Sequence, residues 1–282
     1  MIDPQLKNII ENALNEDIGN EDITTSAIIT KNTTGLGEFL VKQDGIVAGL
    51  DVLEILYNIF DPELNFKKNK NDGVKVTKGQ VIANVEGNIA SILTAERTAL
   101  NFLQRMSGIA TLANEFTERI KHTKAKILDT RKTAPGLRFI DKLAVKIAGC
   151  ENHRIGLYDM FLIKDNHIIA AGSITKAVNA CKKYRKANKE NFRIEVETTN
   201  LEQVMEALKC KVDLIMLDNF NLADMKKAVE LIDGKCKTEA SGGIDLNTVK
   251  QIAETGIDFI SVGALTHSVK ALDISLEIFV QK

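Results

Sequence analysis

The sequence predicts an α/β protein in two parts, a small N-terminal sheet with helices and a larger series of β/α units. Three observations carry this. Beyond residue 124, short apolar strands alternate with helical patterns: Ile127-Leu-Asp, Phe161-Leu-Ile-Lys, Arg193-Ile-Glu-Val-Glu, Leu214-Ile-Met-Leu-Asp, Lys237-Thr-Glu-Ala-Ser and Asp258-Phe-Ile-Ser-Val-Gly. Their spacing of roughly 20 to 35 residues suits right-handed crossovers between parallel strands. Residues 36 to 89 have a different rhythm, with strand-like segments at Glu38-Phe-Leu-Val-Lys, Val74-Lys-Val and Val81-Ile-Ala-Asn-Val separated by Asp44-Gly45, Asn71-Asp72-Gly73, Lys78-Gly79 and Glu86-Gly87. Finally, each strand of the second series ends in polar residues or glycine: Asp129 and Arg131, Lys164, Glu195 and Glu197, Asp218 and Asn219, Glu239 and Ser241, Ser261 and Gly263. A barrel collects such residues on one rim, which favours it, while a doubly wound open sheet also satisfies the alternation.

Taken in order, Asp3 and Pro4 form an N-cap and first helical position, followed by Leu6, Ile9, Ile10, Ala13 and Leu14 at helical spacing up to Gly19. A second helix is expected at about 50 to 60, inserted in the small sheet. Ser91 to Ile120 carries Leu93, Leu100, Leu103 and Leu112 on a helical pattern that joins two domains, with Gly108 read as a break between two helices. The tail Leu272-Asp-Ile-Ser-Leu-Glu-Ile alternates with period two, as an edge strand returning to the N-terminal sheet would. The domains are therefore placed at 1–113, joined by the tail 270–282, and at 114–269. No internal repeat or low-complexity tract interrupts them.

The 282 residues are 44% hydrophobic with a formal net charge of -1, which allows a sizeable core and argues against a general nucleic-acid binder. Any cationic site must be local. Four cysteines at 150, 181, 210 and 236 contain no C-x-x-C pair and suit reduced thiols in a cytoplasmic protein. The opening Met1-Ile-Asp-Pro-Gln-Leu lacks a basic end followed by an apolar run, so neither a secretory leader nor a membrane span is expected.

The densest chemistry lies in Asn152-His-Arg-Ile-Gly-Leu-Tyr-Asp-Met-Phe-Leu-Ile-Lys-Asp-Asn-His167. Lys164 directly follows an apolar run, and burying its ammonium costs several kcal/mol unless a partner or an anionic ligand waits there. Thr130, Arg131 and Lys132, in the loop after the first barrel strand, suit phosphate or carboxylate recognition; the plain alternative is a solvated loop with Asp129 paired to Arg131. His153 and Arg154 precede the next strand, and two histidines fourteen positions apart make no metal signature. Lys164 has a rival role as a Schiff-base lysine. Glu197 and Asp218 suit a hydrated magnesium or sugar hydroxyls, or else balance the charge of Lys164 and Arg131, while Glu195, two residues deeper, reads as a structural counter-ion. Ser241, Gly242 and Gly243, with Val262, Gly263 and Ala264, leave backbone amides open on the last two strands, the common phosphate position of a β/α barrel, although singly such glycines mean only tight turns. His267 adds a further donor or is merely solvated.

These residues carry a resemblance. Asp129-Thr-Arg-Lys-Thr, Asn152-His-Arg through His167, Leu217-Asp-Asn219, Glu239-Ala-Ser-Gly-Gly-Ile244 and Ser261-Val-Gly-Ala-Leu-Thr-His-Ser268 closely resemble the quinolinate phosphoribosyltransferases. Glu16-Asp-Ile-Gly-Asn-Glu-Asp-Ile-Thr-Thr25, Asp44-Gly-Ile-Val-Ala-Gly49 and Ala95-Glu-Arg-Thr-Ala-Leu-Asn101 look like that family's N-terminal motifs, so the resemblance spans nearly the whole chain. It implies an N-terminal open α/β sandwich domain and an incomplete six-stranded α/β barrel. It also implies a homodimer, or a higher homo-oligomer, in which Arg97 is donated across to the partner's site. Arg131, Lys132, His153, Arg154 and Lys164 would surround the pyridine dicarboxylate and pyrophosphate, and Glu197 and Asp218 would face ribose and magnesium. The phosphate would fall to Ser241–Gly243 and Val262–Ala264. Turnover would then depend most on Lys164, Arg131, Glu197 and Asp218, with Mg2+ arriving on the donor's pyrophosphate and water and no protein ligand of its own.

The implied reaction joins quinolinate to 5-phosphoribosyl 1-pyrophosphate with loss of carbon dioxide, a step in NAD biosynthesis. Two strongly anionic substrates repel by several kcal/mol in a partly dry pocket, which accounts for the cation cluster. One feature departs from the family, which usually shows a run of glycines before Asn-His-Arg; here the chain reads Ala148-Gly149-Cys150-Glu151. Positive φ is costly for the other three residue types, so this loop is where His153 and Arg154 are least constrained by the resemblance. Three rivals follow from the residues: a phosphoribosyltransferase for another acceptor such as nicotinate, or a molybdenum-associated paralogue; an aldolase-type lyase using Lys164; and a non-catalytic anion-binding regulator.

Overall fold

The computed structural model describes residues 2–30 and 32–281. In chain order it contains α1 (Pro4–Ile18), α2 (Ile23–Ile28), β1 (Thr34–Val41), β2 (Gly45–Ile46), α3 (Leu50–Phe60), β3 (Asn65–Lys68), β4 (Lys75–Val76), β5 (Val81–Asn88) and α4 (Ile89–Ile120). There follow β6 (Lys126–Leu128), α5 (Arg138–Ile147), β7 (Phe161–Ile163), α6 (Asp165–Ala171), α7 (Ile174–Asn188), β8 (Ile194–Thr198) and α8 (Leu201–Lys209). The series closes with β9 (Leu214–Asp218), α9 (Leu222–Ile232), β10 (Lys237–Ser241), α10 (Val249–Ala253), β11 (Phe259–Ser261), α11 (Ala264–His267) and β12 (Ile274–Val280). Contacts divide the chain into two compact units, Met1–Asn114 with Thr133–Gly149 and Leu265–Lys282, and Glu115–Lys132 with Cys150–Ala264. Thus α5, which sequence order puts after the 113/114 boundary, groups with the N-terminal residues, in contact with α1. Its apolar face, with buried Ile140, Ala144 and Val145, gives it a core to join there.

In the first unit, α1 begins where the sequence pattern puts it: Asp3 accepts a hydrogen bond from Gln5 N at 2.8 Å, and Gly19 ends the helix. The sheet has strand order β12-β1-β5-β3, antiparallel throughout, with β1 alternating buried and less buried residues. The alternating tail is therefore an edge strand, as its period indicates. Phe39, Tyr57 and Phe66 fill the space between sheet and α3, with Tyr57 and Phe66 stacked at 5.5 Å. The expected break at Gly108 is absent, because α4 continues through it without interruption. A Cβ at Gly108 would lie 2.1 Å from the Lys270 carbonyl oxygen, so this glycine admits a close backbone approach and does not end a helix. Nearby, Arg105 clamps the fully buried Asp141 through two hydrogen bonds of 2.8 Å.

The second unit decides between barrel and open sheet. Its six strands are parallel in the order β6-β11-β10-β9-β8-β7. A doubly wound sheet reverses direction at an internal point, whereas here each strand from β7 to β11 lies beside its sequence neighbour and the first strand joins the last. That is the winding of a barrel left open between β6 and β7, with the end of β6 making one parallel bridge, Leu128 to Glu151, to the segment ahead of β7. All six strand ends that bear the candidate residues consequently share one edge of the sheet. Among the described residues, no helix is long and apolar enough to cross a membrane, and no cysteine forms a disulfide.

Candidate active site

Asp129, immediately after β6, is fully buried. It is not simply the solvated partner of Arg131: it accepts from Asn152 Nδ2 at 2.5 Å and from the His153 backbone N–H at 2.9 Å. Those two bonds, with the Glu151 N–H to Ile127 carbonyl bond of 2.9 Å, tie the Asn152–Arg154 segment to the end of β6. The preceding loop needs only one left-handed residue, supplied by Gly149 at φ 84°; Ala148, Cys150 and Glu151 are not among the residues with positive φ. The missing glycine run therefore leaves this segment firmly held.

His153 turns inward. Its side chain is only 7% exposed and meets Glu195 Oε2 at 3.0 Å and Glu239 Oε2 at 3.5 Å, both glutamates being fully buried. Burial pushes both carboxyls well above the ordinary carboxylate range, and the charge of Glu195 raises Glu239 further. Glu195 is thus paired with a carboxyl and an imidazole, deeper than the counter-ion role that its sequence position suggests. Arg154 N–H donates to His153 Nδ1 at 2.8 Å, and the Arg154 guanidinium reaches the Met160 carbonyl at 3.3 Å. Burial and the neighbouring Arg131 charge lower the Arg154 pKa.

Lys164 caps α6 at the end of β7, and its Nζ lies 2.9 Å from Glu197 Oε2. Its side chain is 47% exposed. An ammonium in an ion pair and open to solvent is not the desolvated amine that Schiff-base chemistry requires, so the lyase reading loses its footing. The His167 ring accepts the Lys164 backbone N–H at 3.0 Å, which explains the second histidine of the motif as a helix cap. On the next strand ends, Asp218 accepts from Asn219 Nδ2 at 2.8 Å, and Asn219 N–H donates to the Ser241 carbonyl at 2.9 Å. Gly242 sits at φ 99°, which strains any other residue, and a would-be Cβ 2.1 Å from Asn219 Oδ1 would also force that side chain to move. Val262 N–H bonds the Leu128 carbonyl at 2.9 Å, carrying the Val262–Ala264 turn to the same edge as the Thr130–Lys132 loop. Within that loop Thr130 Oγ1 accepts from Lys132 N–H at 3.0 Å.

The second unit therefore brings Thr130, Arg131, Lys132, His153, Arg154, Lys164, Glu197, Asp218, Ser241, Gly242, Gly243, Val262, Gly263 and Ala264 onto the C-terminal ends of one parallel sheet. Arg97 and His267 belong to the first unit, where both are exposed, and His267 Nδ1 contacts Ser268 Oγ at 2.6 Å. Asp129 and Glu239 are the residues whose importance the sequence understates. The signal was present, since a buried strand with an acid at an inward position needs a partner, but nothing local says which.

The family model described as "Quinolinate phosphoribosyl transferase, N-terminal domain" matches residues 22–107, and its C-terminal counterpart matches residues 109–277. The chain belongs to the quinolinate phosphoribosyltransferase family. A relative named quinolinate phosphoribosyltransferase [decarboxylating] 2, mitochondrial, from Nicotiana glauca is 48% identical over 97% of this chain and 82% of its own length. The probable nicotinate-nucleotide pyrophosphorylase [carboxylating] of Bacillus subtilis is 42% identical over 97% of this chain and 93% of its own. Among solved structures, the nicotinate-nucleotide pyrophosphorylase from Francisella tularensis superposes with a TM-score of 0.93 at 41% identity, covering 99% of this chain and 98% of that one. The quinolinate phosphoribosyltransferase fold, a sheet domain followed by a six-stranded parallel α/β unit, is thus that of the whole chain.

Proposed function

We propose that this chain is a pentosyltransferase that joins quinolinate to 5-phosphoribosyl 1-pyrophosphate, releasing pyrophosphate and carbon dioxide and forming nicotinate mononucleotide for NAD biosynthesis. The observation that carries the reading, together with family membership, is the meeting of Arg131, Lys132, Arg154 and Lys164 with Glu197 and Asp218 on one sheet edge. A strongly anionic ligand pair makes use of that many cations beside carboxylates. Arg131, Lys132 and Arg154 take the two carboxylates and phosphates, with Arg97 supplied by a second copy of the chain, and the open amides of Ser241–Gly243 and Val262–Ala264 take the 5-phosphate. The quinolinate ring nitrogen attacks the sugar carbon as its bond to pyrophosphate breaks. Lys164 and the arginines stabilise the leaving oxygens, and Glu197 and Asp218 favour the cationic sugar. The ring nitrogen is then positively charged, so the bond to the adjacent carboxylate breaks with its electron pair left on the ring carbon, which takes up a proton. The protein's task in that step is to hold the acid and exclude water.

Magnesium bound with the donor supplies positive charge to the leaving pyrophosphate. Glu197 and Asp218 fit its hydration shell, since they are hard oxygen donors on adjacent strands whose oxygens already accept from Lys164 and Asn219. A homodimer belongs to the same reading, in which the exposed Arg97 serves the site of a second copy. A cytoplasmic site of action suits the four cysteines without disulfides. The test is product analysis. Incubation with quinolinate, the phosphoribosyl donor and magnesium must yield nicotinate mononucleotide and labelled carbon dioxide; absence of both refutes the reading. Mixing Arg97→Ala and Lys164→Ala subunits must restore activity in heterodimers, and no recovery refutes the shared site.

A further inference from the structure

We propose that Glu195 and Glu239 are positioning residues that hold His153 as a neutral Nε2–H imidazole, so that His153 fixes the Arg154 main chain and brings no charge of its own to the quinolinate carboxylates. The geometry of the ring decides its tautomer. Arg154 has a single backbone N–H, and it points at His153 Nδ1 from 2.8 Å. A proton on Nδ1 would face that hydrogen head-on, so Nδ1 is an acceptor and the ring proton sits on Nε2. Nε2 in turn donates to Glu195 Oε2 at 3.0 Å, with Glu239 Oε2 beyond it at 3.5 Å.

The carboxyl pair completes the arrangement. Glu195 Oε1 and both oxygens of Glu239 are buried with no hydrogen-bond partner among the described residues. Two ionised carboxylates there would repel in a dry interior, whereas a proton on Glu239 donated to Glu195 satisfies an oxygen on each. The order follows from geometry: His153 Nε2 lies 3.0 Å from Glu195 Oε2 but 3.5 Å from Glu239 Oε2, so Glu195 is the carboxylate that accepts from the imidazole N–H and Glu239 the neutral acid beside it. One net negative charge remains, and it accepts from both the imidazole and the neutral acid. The same trio, whose donor atoms lie within 4.8 Å of one another, has the outline of a metal site. A metal on Nε2 would move the ring proton to Nδ1, against the Arg154 N–H, so the hydrogen-bond directions oppose that use.

The consequence is a wall held at three points. Asp129 takes the Asn152 side chain and the His153 N–H, and His153 takes the Arg154 N–H. The arginine backbone is thereby set from inside the sheet, independent of ligand. This inference rests on the proposed function only for its kinetic part.

The experiment combines nitrogen NMR of histidine-labelled protein with kinetics of glutamate variants. The His153 signals, assigned by their loss in His153→Gln or by elimination of the exposed His122, His167 and His267, must show one protonated and one bare ring nitrogen between pH 6 and 8, with the proton on Nε2. An imidazolium or an Nδ1–H tautomer overturns the proposal, as does a signal displaced by added zinc or manganese. Glu239→Gln, an isostere of the neutral acid, must keep quinolinate KM within about threefold. Glu239→Ala must raise it at least tenfold with the KM of the phosphoribosyl donor little changed. Equal damage from Gln and Ala overturns the assignment of the proton. If wild-type protein forms no nicotinate mononucleotide, the functional reading fails while the NMR result still decides the tautomer.

Discussion

Replacing Lys164 with alanine separates a role in chemistry from a role in folding. The ammonium is 2.9 Å from Glu197 and 47% exposed, so the ion pair itself belongs to the class worth about 0–1 kcal/mol, and its loss lowers thermal stability little. Its value to an anionic ligand is larger. A unit charge about 4 Å from a pyrophosphate or carboxylate oxygen contributes about 1 kcal/mol in bulk water and about 4 kcal/mol at the effective dielectric of a protein surface. A half-exposed lysine lies between these limits, which converts to a loss in kcat/KM of about fivefold to several hundredfold. Steady-state assay of nicotinate mononucleotide formation, beside a denaturant or thermal melt of the same preparation, reads both quantities. Lys164→Arg should recover part of the activity. Near-normal kinetics in Lys164→Ala would refute the placement of a substrate beside this side chain, and a melt displaced by several kcal/mol would show that the residue serves the fold.

Three other perturbations follow from particular contacts. Gly242→Ala forces a side chain into a φ of 99° with its Cβ against Asn219 Oδ1, and should destabilise the protein by about 1–3 kcal/mol while raising KM for the phosphoribosyl donor, as read by melting and kinetics. Arg105→Ala leaves the fully buried Asp141 without its bidentate partner and should lower stability by about 3–5 kcal/mol in urea titration. Glu239 gives a pH signature. Its carboxyl is pushed up from 4.5 to about 8 by burial, so between those values the unfolded chain releases a proton that the folded chain keeps. Stability should therefore fall as pH rises through that window, by at most about 1.4 kcal/mol per pH unit, and the slope should flatten in Glu239→Gln. An unchanged slope in that variant would show Glu239 ionised at neutral pH.

What the sequence determined by itself was periodic or local. The cap at Asp3 and Pro4, α3, the alternating β12, and all six parallel strands with their polar ends are written in consecutive residues, because helix and strand repeats act over a few positions. Arg131, Lys132, Lys164, Glu197 and Asp218 stood out for the same reason, each at or just beyond the end of an apolar strand, whereas Arg154 lies in the loop ahead of β7 and reaches the same sheet edge only through the fold. Strand β3 was not legible: Asn65-Phe-Lys-Lys reads as a charged loop, and only pairing with β5 makes it a strand. Gly108 misled because a glycine that breaks a helix and one that admits a neighbouring backbone look alike until Lys270 is beside it. Tertiary structure alone chose the barrel winding, by setting β6 against β11, and it alone joined Asp129 to Asn152 and His153 to Glu195 and Glu239. Those pairings span up to 86 positions along the chain, from His153 to Glu239. Burial requires each such polar group to find a partner without saying which one, and that choice belongs to the packing of the strands.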